Sequence, residues 1–108
     1  MDVYQLTRAL IDIESLTGNE YQVGCFLADY LDDLAARFDG RVERIEVEPR
    51  RYNVLATFGE PVVTLSTHID TVPPFLASSE DADYIYGRGA CDTKGIIAAM
   101  LKALEALL

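Results

Sequence analysis

The sequence predicts an α/β fold of three helices and three to four strands. Three observations carry that prediction. Apolar residues recur at intervals of three and four near both ends of the chain, the period of an amphipathic helix, while the stretch 41–48 alternates with a period of two. Two short runs rich in β-branched residues follow at 53–58 and 62–67, with the turn-forming Gly59-Glu60-Pro61 between them. Composition agrees, because 50% hydrophobic and 25% charged residues are the proportions of a folded domain and not of a disordered chain.

Val3, Leu6, Leu10 and Ile13 form the stripe of a first helix, expected over residues 2–15, and Thr17-Gly18-Asn19 breaks the pattern. Asn19 is a candidate N-cap for a second helix, with Glu20 in the first turn, where the helix dipole favours a carboxylate. Val23, Phe26, Leu27, Tyr30, Leu31 and Leu34 give that helix one wide apolar face, and Asp39-Gly40 should stop it. Ile45 and Val47 then alternate against Arg44, Glu46 and Glu48, as on a strand with one wet face, and Pro49 ends the run. Residues 53–58 and 62–67 read as two central strands joined by a tight turn. The Pro pair and the Ser-Ser-Glu-Asp cluster make 72–83 a loop, and Tyr84-Ile85-Tyr86 follows as a short strand.

From Thr93 onward the pattern is helical again. Ile96, Ile97, Met100, Leu101, Leu104, Leu107 and Leu108 leave this third helix apolar nearly all round, so it needs neighbours on more than one face. It runs to Ala106-Leu107-Leu108 with no glycine, basic last turn or polar tail. Two other helices and three strands supply few neighbours. The expectation is a chain cut from a larger domain.

At 108 residues the chain is one domain by length. Eighteen acidic against nine basic residues leave a net charge of -9, a field that repels a phosphate backbone and excludes nucleic acid as a partner. Lys102 and Glu105 interrupt the most apolar stretch well short of the roughly 18 residues that a membrane span requires. The opening Met1-Asp2-Val3-Tyr4 has neither the basic start nor the apolar core of a secretion signal, so the cytoplasm is the expected location. Cys25 and Cys91 match no metal-binding spacing and are expected as reduced thiols.

Two segments carry chemistry. The first, Ser66-Thr67-His68-Ile69-Asp70-Thr71-Val72-Pro73-Pro74, places the only histidine at the end of an apolar strand, where ligand groups gather in α/β sheets. Side chains alternate along a strand, so His68 and Asp70 share one side. The carboxylate can accept a proton from one imidazole nitrogen and leave the other free for a metal. A structural His-Asp pair closing off a strand end is the alternative. The second segment, Tyr86-Gly87-Arg88-Gly89-Ala90-Cys91-Asp92-Thr93-Lys94-Gly95, is a glycine-punctuated loop that delivers Asp92 to the start of the apolar helix. Asp92 is either that helix's N-cap or a carboxylate able to bridge two cations. A nucleotide cradle is excluded, because Gly87-x-Gly89 lacks the third glycine and the Gly-Lys-Ser/Thr ending.

Together, and in this order, the two segments resemble the zinc-dependent amidohydrolases and exopeptidases that include acetylornithine deacetylase, succinyl-diaminopimelate desuccinylase, aminoacylase and carboxypeptidase G. The resemblance begins at Ser15-Leu16-Thr17-Gly18-Asn19-Glu20, passes through Asn53-Val54 and spans the chain. It implies a three-layer zinc-exopeptidase-like catalytic domain, of which residues 1–108 are the N-terminal part. His68 matches a histidine that binds one zinc, Asp92 an aspartate that bridges two, and Asp70 the catalytic-site acid that orients the histidine. Cobalt or manganese can stand in for the two zinc ions. The peptide after the bridging aspartate is expected to be cis. Lys94 matches no ligand and is expected to act electrostatically in a crowded acidic site. The family's paired glutamates, its further carboxylate and histidine ligands, and its lid or dimerisation domain have no counterpart in this sequence.

The resemblance implies amide hydrolysis in an N-acyl amino acid or small peptide, of deacetylase, desuccinylase or exopeptidase type. No nucleic acid or membrane partner is implied, and a homodimer would form through the absent domain. This chain alone is expected to be inactive. A non-catalytic fragment or interaction module is the rival from another class. A phosphoryl-accepting signalling domain, also short, acidic and α/β, is opposed by Arg50 and Arg51 where its acidic pair would stand.

Overall fold

A computed structural model describes residues 1–108. It contains three helices, α1 (Val3–Asp12), α2 (Tyr21–Phe38) and α3 (Gly95–Leu107), and four strands, β1 (Gly40–Glu48), β2 (Arg51–Phe58), β3 (Ser79–Glu80) and β4 (Ile85–Tyr86). The chain is therefore a small α/β unit. Leu6 and Leu10 of α1, Val23, Leu27, Leu31 and Leu34 of α2, and Ile97, Ala98 and Leu101 of α3 form one buried cluster. Val42, Val54, Ala56 and Phe58 close that cluster from the sheet side, so one face of the β1–β2 hairpin is covered by helix.

Helix α1 opens with a reciprocal cap: Asp2 Oδ1 accepts the Gln5 amide at 2.8 Å, and Gln5 Oε1 accepts the Asp2 amide at 2.9 Å. It stops at Asp12, short of the expected Ser15, because tertiary partners claim its end. Lys94 Nζ donates to the Ile13 carbonyl at 2.6 Å, and the Asp12 carboxylate accepts the amide and hydroxyl of Ser78. Helix α2 begins one residue later than expected. Glu20, not Asn19, is its N-cap, and no side chain caps it there. The Glu20 carboxylate instead accepts the Gly18 amide at 2.6 Å and pairs with Arg51 at 3.0 Å, tying the loop before α2 to the start of β2.

The sheet departs most from expectation. β2 pairs with β1, antiparallel, around the turn at Pro49-Arg50, where Arg50 takes φ +63 and its guanidinium lies 4.1 Å from the Tyr21 ring centroid. The Val62–Thr67 run is not a strand. No neighbouring segment offers it a ladder, and Val62, Val63 and Leu65 face solvent. β2 is thus an edge strand and not a central one. Ile45 and Val47 are exposed as well, because the helical cover extends over Val42 but not to the far end of β1. The Ser79–Glu80 stretch, expected as loop, pairs with Ile85–Tyr86 as a two-residue ladder. His68 and Asp70 therefore lie beyond an unpaired extended segment, and the strand-end aspartate of a phosphoryl acceptor is not built.

Helix α3 buries one face, through Ile97, Ala98 and Leu101. Its opposite face, with Ile96, Ala99, Met100 and Ala103, lines an open apolar groove beside Leu65. The predicted all-round burial is not met within this chain. Before α3, residues 90–94 make one wide turn in which Asp92 (φ -126, ψ 86) and Thr93 (φ -136, ψ 19) leave helical geometry. The peptide between them is cis, as is Pro73–Pro74.

Two expected outcomes follow. Burial opposes ionisation of Glu20, but the Arg51 pair and the Gly18 amide outweigh it and hold the carboxyl below its ordinary value. Glu20 thus adds stability in full above its ordinary pKa and loses it as pH falls through its lower folded value. Urea unfolding of the full-length protein should show Glu20→Gln less stable than wild type at pH 7, with the gap closing toward pH 3; a gap independent of pH would refute the pairing. Gly89 has φ +90, and a Cβ there would meet Thr71 Cγ2 at 2.8 Å. Gly89→Ala should therefore cost about 1–3 kcal/mol, read as a lowered unfolding midpoint.

Candidate metal centre

His68, Asp70 and Asp92 converge at one solvent-facing rim. His68 Nδ1 lies 3.0 Å from Asp70 Oδ1, and Nε2 lies 2.9 Å from Asp92 Oδ1. The imidazole is half exposed and Asp92 is 82% exposed, so an ion could reach the Nε2 side directly from solvent. Asp92 does not cap α3; the N-cap is Lys94, and no side chain satisfies the first amides. The structural alternative for Asp92 is thereby removed.

Backbone locks hold the three residues together. Thr93 Oγ1 donates to the His68 carbonyl at 2.7 Å and receives the Thr67 hydroxyl at 3.1 Å, which joins the His68 segment to the start of α3. On the other side, the Thr71 amide donates to the Ser15 carbonyl at 2.8 Å and the Thr17 amide to the Thr71 carbonyl at 3.2 Å, a short parallel bridge beside Asp70. Thr17 Oγ1 then donates to Asp70 Oδ2 at 2.6 Å. Asp70 has one oxygen on His68 and the other on Thr17. Sequence reasoning did not single out Thr17, Thr67 or Thr93, because contacts across 53, 26 and 25 positions leave no spacing signal.

Lys94 is not where the sequence suggested. Its side chain is almost wholly buried, with Nζ on the Ile13 carbonyl, and burial pushes the ammonium down to about 8 despite the nearby Asp12. It fastens the end of α1 and adds no cation to the acidic rim. Arg88 is likewise spent on a backbone carbonyl, that of Pro74.

Burial disfavours the imidazolium, but the Asp92 side chain, the Asp70 backbone carbonyl and the charges of both carboxylates outweigh it and raise the imidazole above its ordinary value. For Asp70 the Thr17 hydrogen bond leads, joined by His68, and lowers the carboxyl against the opposing effect of burial. A neutral imidazole has one N–H to share between two acceptors. With Nδ1–H on Asp70, the approach of Nε2 to Asp92 needs a proton or another cation between them.

Zinc takes imidazole nitrogen and carboxylate oxygen, and a metal-binding histidine usually donates its other N–H to a carboxylate. His68 Nε2 and Asp92 Oδ1, with Nδ1 on Asp70, fit that donor chemistry. Their number does not complete a shell, since a catalytic zinc has three protein ligands and no group of three His, Cys, Asp or Glu side chains here is arranged to hold a metal ion.

Comparisons with known proteins agree with the motifs. Residues 64–108 match the model of peptidase family M20/M25/M40. A peptidase M20 domain-containing protein of Schizosaccharomyces pombe is 39% identical over 99% of this chain and 27% of its own length. Probable carboxypeptidases of Emericella nidulans and Arthroderma otae are 39% and 35% identical, each over 94% of this chain and 26% and 27% of their own lengths. The chain thus spans about a quarter of the curated relatives it matches. No solved structure matches at a significant level. Both chemical segments lie inside residues 64–108, the part of this chain that is similar to the M20/M25/M40 peptidase family.

Proposed function

We propose that this chain supplies part of the catalytic domain of a metal-dependent amide hydrolase, a three-layer zinc-exopeptidase-like fold whose other layers lie in further sequence. The observation that carries the proposal is the His68 imidazole gripped on Nδ1 by Asp70 and facing Asp92 through Nε2. In this reading His68 and Asp92 would hold zinc, and Asp70, on Nδ1, would keep the N–H there and leave the Nε2 lone pair free. Zinc, when bound, supplies a Lewis acid for the scissile carbonyl and makes water acidic enough to attack near neutral pH. The chain's own contribution is placement. Thr93 and the wide turn place Asp92 beside the imidazole, and the rim is open to solvent.

The printed names of relatives, probable carboxypeptidases, favour removal of a residue from a small peptide over removal of an acyl group from an amino acid. An N-blocked dipeptide is therefore the first substrate to test and an N-acetyl amino acid the second. A further ligand set and a general base have to come from outside residues 1–108, because the chain has one histidine and no third ligand at the rim.

The test is zinc stoichiometry and turnover in the full-length protein, the 108-residue chain and three variants. Full-length protein should bind two zinc ions and release the C-terminal residue of the dipeptide, while the 108-residue chain binds zinc weakly and shows no turnover. His68→Ala and Asp92→Ala should lower activity by more than the ~10- to 100-fold that loss of an outer partner such as Asp70 costs. Full turnover by the short chain, or an unimpaired Asp92→Ala variant, would place the chemistry elsewhere.

A further inference from the structure

We infer that Thr17 is a positioning residue for the site: its hydroxyl fixes the Asp70 carboxylate, which together with the Asp70 carbonyl holds the proton of His68 on Nδ1. The inference rests on the proposed metal role of His68 and Asp92 and extends it to a residue 51 positions away from that histidine. Thr17 Oγ1 donates to Asp70 Oδ2 at 2.6 Å, and Asp70 Oδ1 is left toward His68 Nδ1 at 3.0 Å. An aspartate side chain is free to rotate about its terminal torsion unless both oxygens are engaged. Here each oxygen has its own partner on a different segment of the chain.

The position of the hydroxyl is itself fixed. Thr17 and Ser15 flank Thr71 in the parallel bridge, so the threonine and Asp70 are held in register on adjacent segments. The loop carrying Thr17 is fastened at both ends, by Lys94 Nζ on the Ile13 carbonyl and by Glu20, which holds the Gly18 amide and Arg51. Thr17 is nevertheless exposed and contributes nothing to the buried cluster. A polar side chain so placed, on a loop so restrained, serves the contact it makes.

The consequence is a competition that can be measured. In the neutral imidazole, Asp70 and Asp92 contend for one N–H, and only the form with the proton on Nδ1 offers the Nε2 lone pair to a metal. Removing the Thr17 hydroxyl frees the Asp70 carboxylate to turn and leaves Nδ1 with only the Asp70 carbonyl at 3.1 Å, which shifts part of the proton population toward Nε2 and Asp92. Zinc then has to displace that proton before it binds.

The experiment uses the full-length protein with 15N-labelled histidine, stripped of metal and held two pH units above the imidazole pKa measured for each variant. Long-range 1H–15N spectra give the ratio of the two neutral forms at His68, with His68→Ala identifying its signals. Zinc affinity is read separately by chelator competition. Thr17→Val keeps the size and branching of the side chain and loses the hydroxyl; it should move the ratio at least about threefold toward Nε2–H and weaken zinc binding about 3- to 10-fold. Thr17→Ser should restore both. Asp70→Asn should make the further change from wild type, with Thr17→Val adding nothing on top of it. A Thr17→Val protein with the wild-type ratio and affinity, while Asp70→Asn alters both, would overturn the role of Thr17 and leave the metal site standing. Failure of Thr17→Ser to restore them would also overturn it, since the hydroxyl would not be the agent. Unchanged zinc binding in His68→Ala and Asp92→Ala would instead remove the site on which the inference rests.

Discussion

One imidazole held between two carboxylates is the constraint from which much of the remaining architecture can be understood. Such a cluster is small, exposed and made of groups that water would otherwise separate, so the backbone must bring them together and keep them there. Three chain segments do this. The 67–71 stretch carries His68 and Asp70, the 89–94 turn carries Asp92, and the 13–20 loop carries Thr17. Each is bound to another by hydrogen bonds: Thr93 to the His68 carbonyl, Thr71 to Ser15 and Thr17, Lys94 to Ile13. The glycines of the turn belong to the same set of restraints. Gly89 sits in the left-handed region where a Cβ would strike Thr71, and Gly87 has φ +143 against Ile11 and the carbonyl of Leu76. The early end of α1 has the same origin, since Asp12 and Ile13 are drawn into contacts with Ser78 and Lys94.

The helices were legible in the sequence and most of the sheet was not, for a physical reason. A helix satisfies its own backbone, so the three-to-four spacing of Leu6 and Leu10, or of Val23, Leu27, Leu31 and Leu34, suffices to locate the element and its buried face. A strand needs a partner. The 62–67 run has the right composition but no neighbour in this chain to accept its ladder, and it stays extended and wet. The same dependence hid the pairing of Ser79–Glu80 with Ile85–Tyr86, which lies in sequence that reads as loop. It also misassigned the hairpin, because Gly59-Glu60-Pro61 looks like a turn more than Pro49-Arg50 does, yet Arg50 adopts the left-handed conformation the β1–β2 turn needs.

For the site, the side chains with distinctive chemistry were visible and their supports were not. One histidine, an aspartate two residues on, and an aspartate in a glycine-flanked loop stand out in any linear scan. Thr17 and Thr93 do not, because a threonine acquires meaning only from what lies across the fold. Lys94 was visible and misplaced. Its position beside Asp92 suggested a charge in the acidic rim, but the turn directs its side chain inward, where the α1 carbonyl takes it. Glu20 was visible for a helix-dipole role and serves a different one, as the acceptor that joins the Gly18 loop to Arg51.

The burial of Lys94 bears on the character of the rim. Two basic residues lie in the glycine-rich segment, and each donates to a backbone carbonyl, Arg88 Nε to Pro74 and Lys94 Nζ to Ile13. Neither reaches Asp92. The side-chain charges that meet at the rim are therefore Asp70, Asp92 and at most one positive charge on His68, so a neutral imidazole leaves the cluster with two uncompensated negatives. Protonation of His68 is one way to compensate them, which is why its imidazole is raised. In the proposed function, a divalent cation held by His68 and Asp92 would be the other, and it would compensate twice the charge. On that reading a proton and a metal would compete for the same groups, and a lysine facing outward would weaken the binding of both. Turning Lys94 into the protein keeps the rim anionic while still using the residue to fasten the loop that bears Thr17.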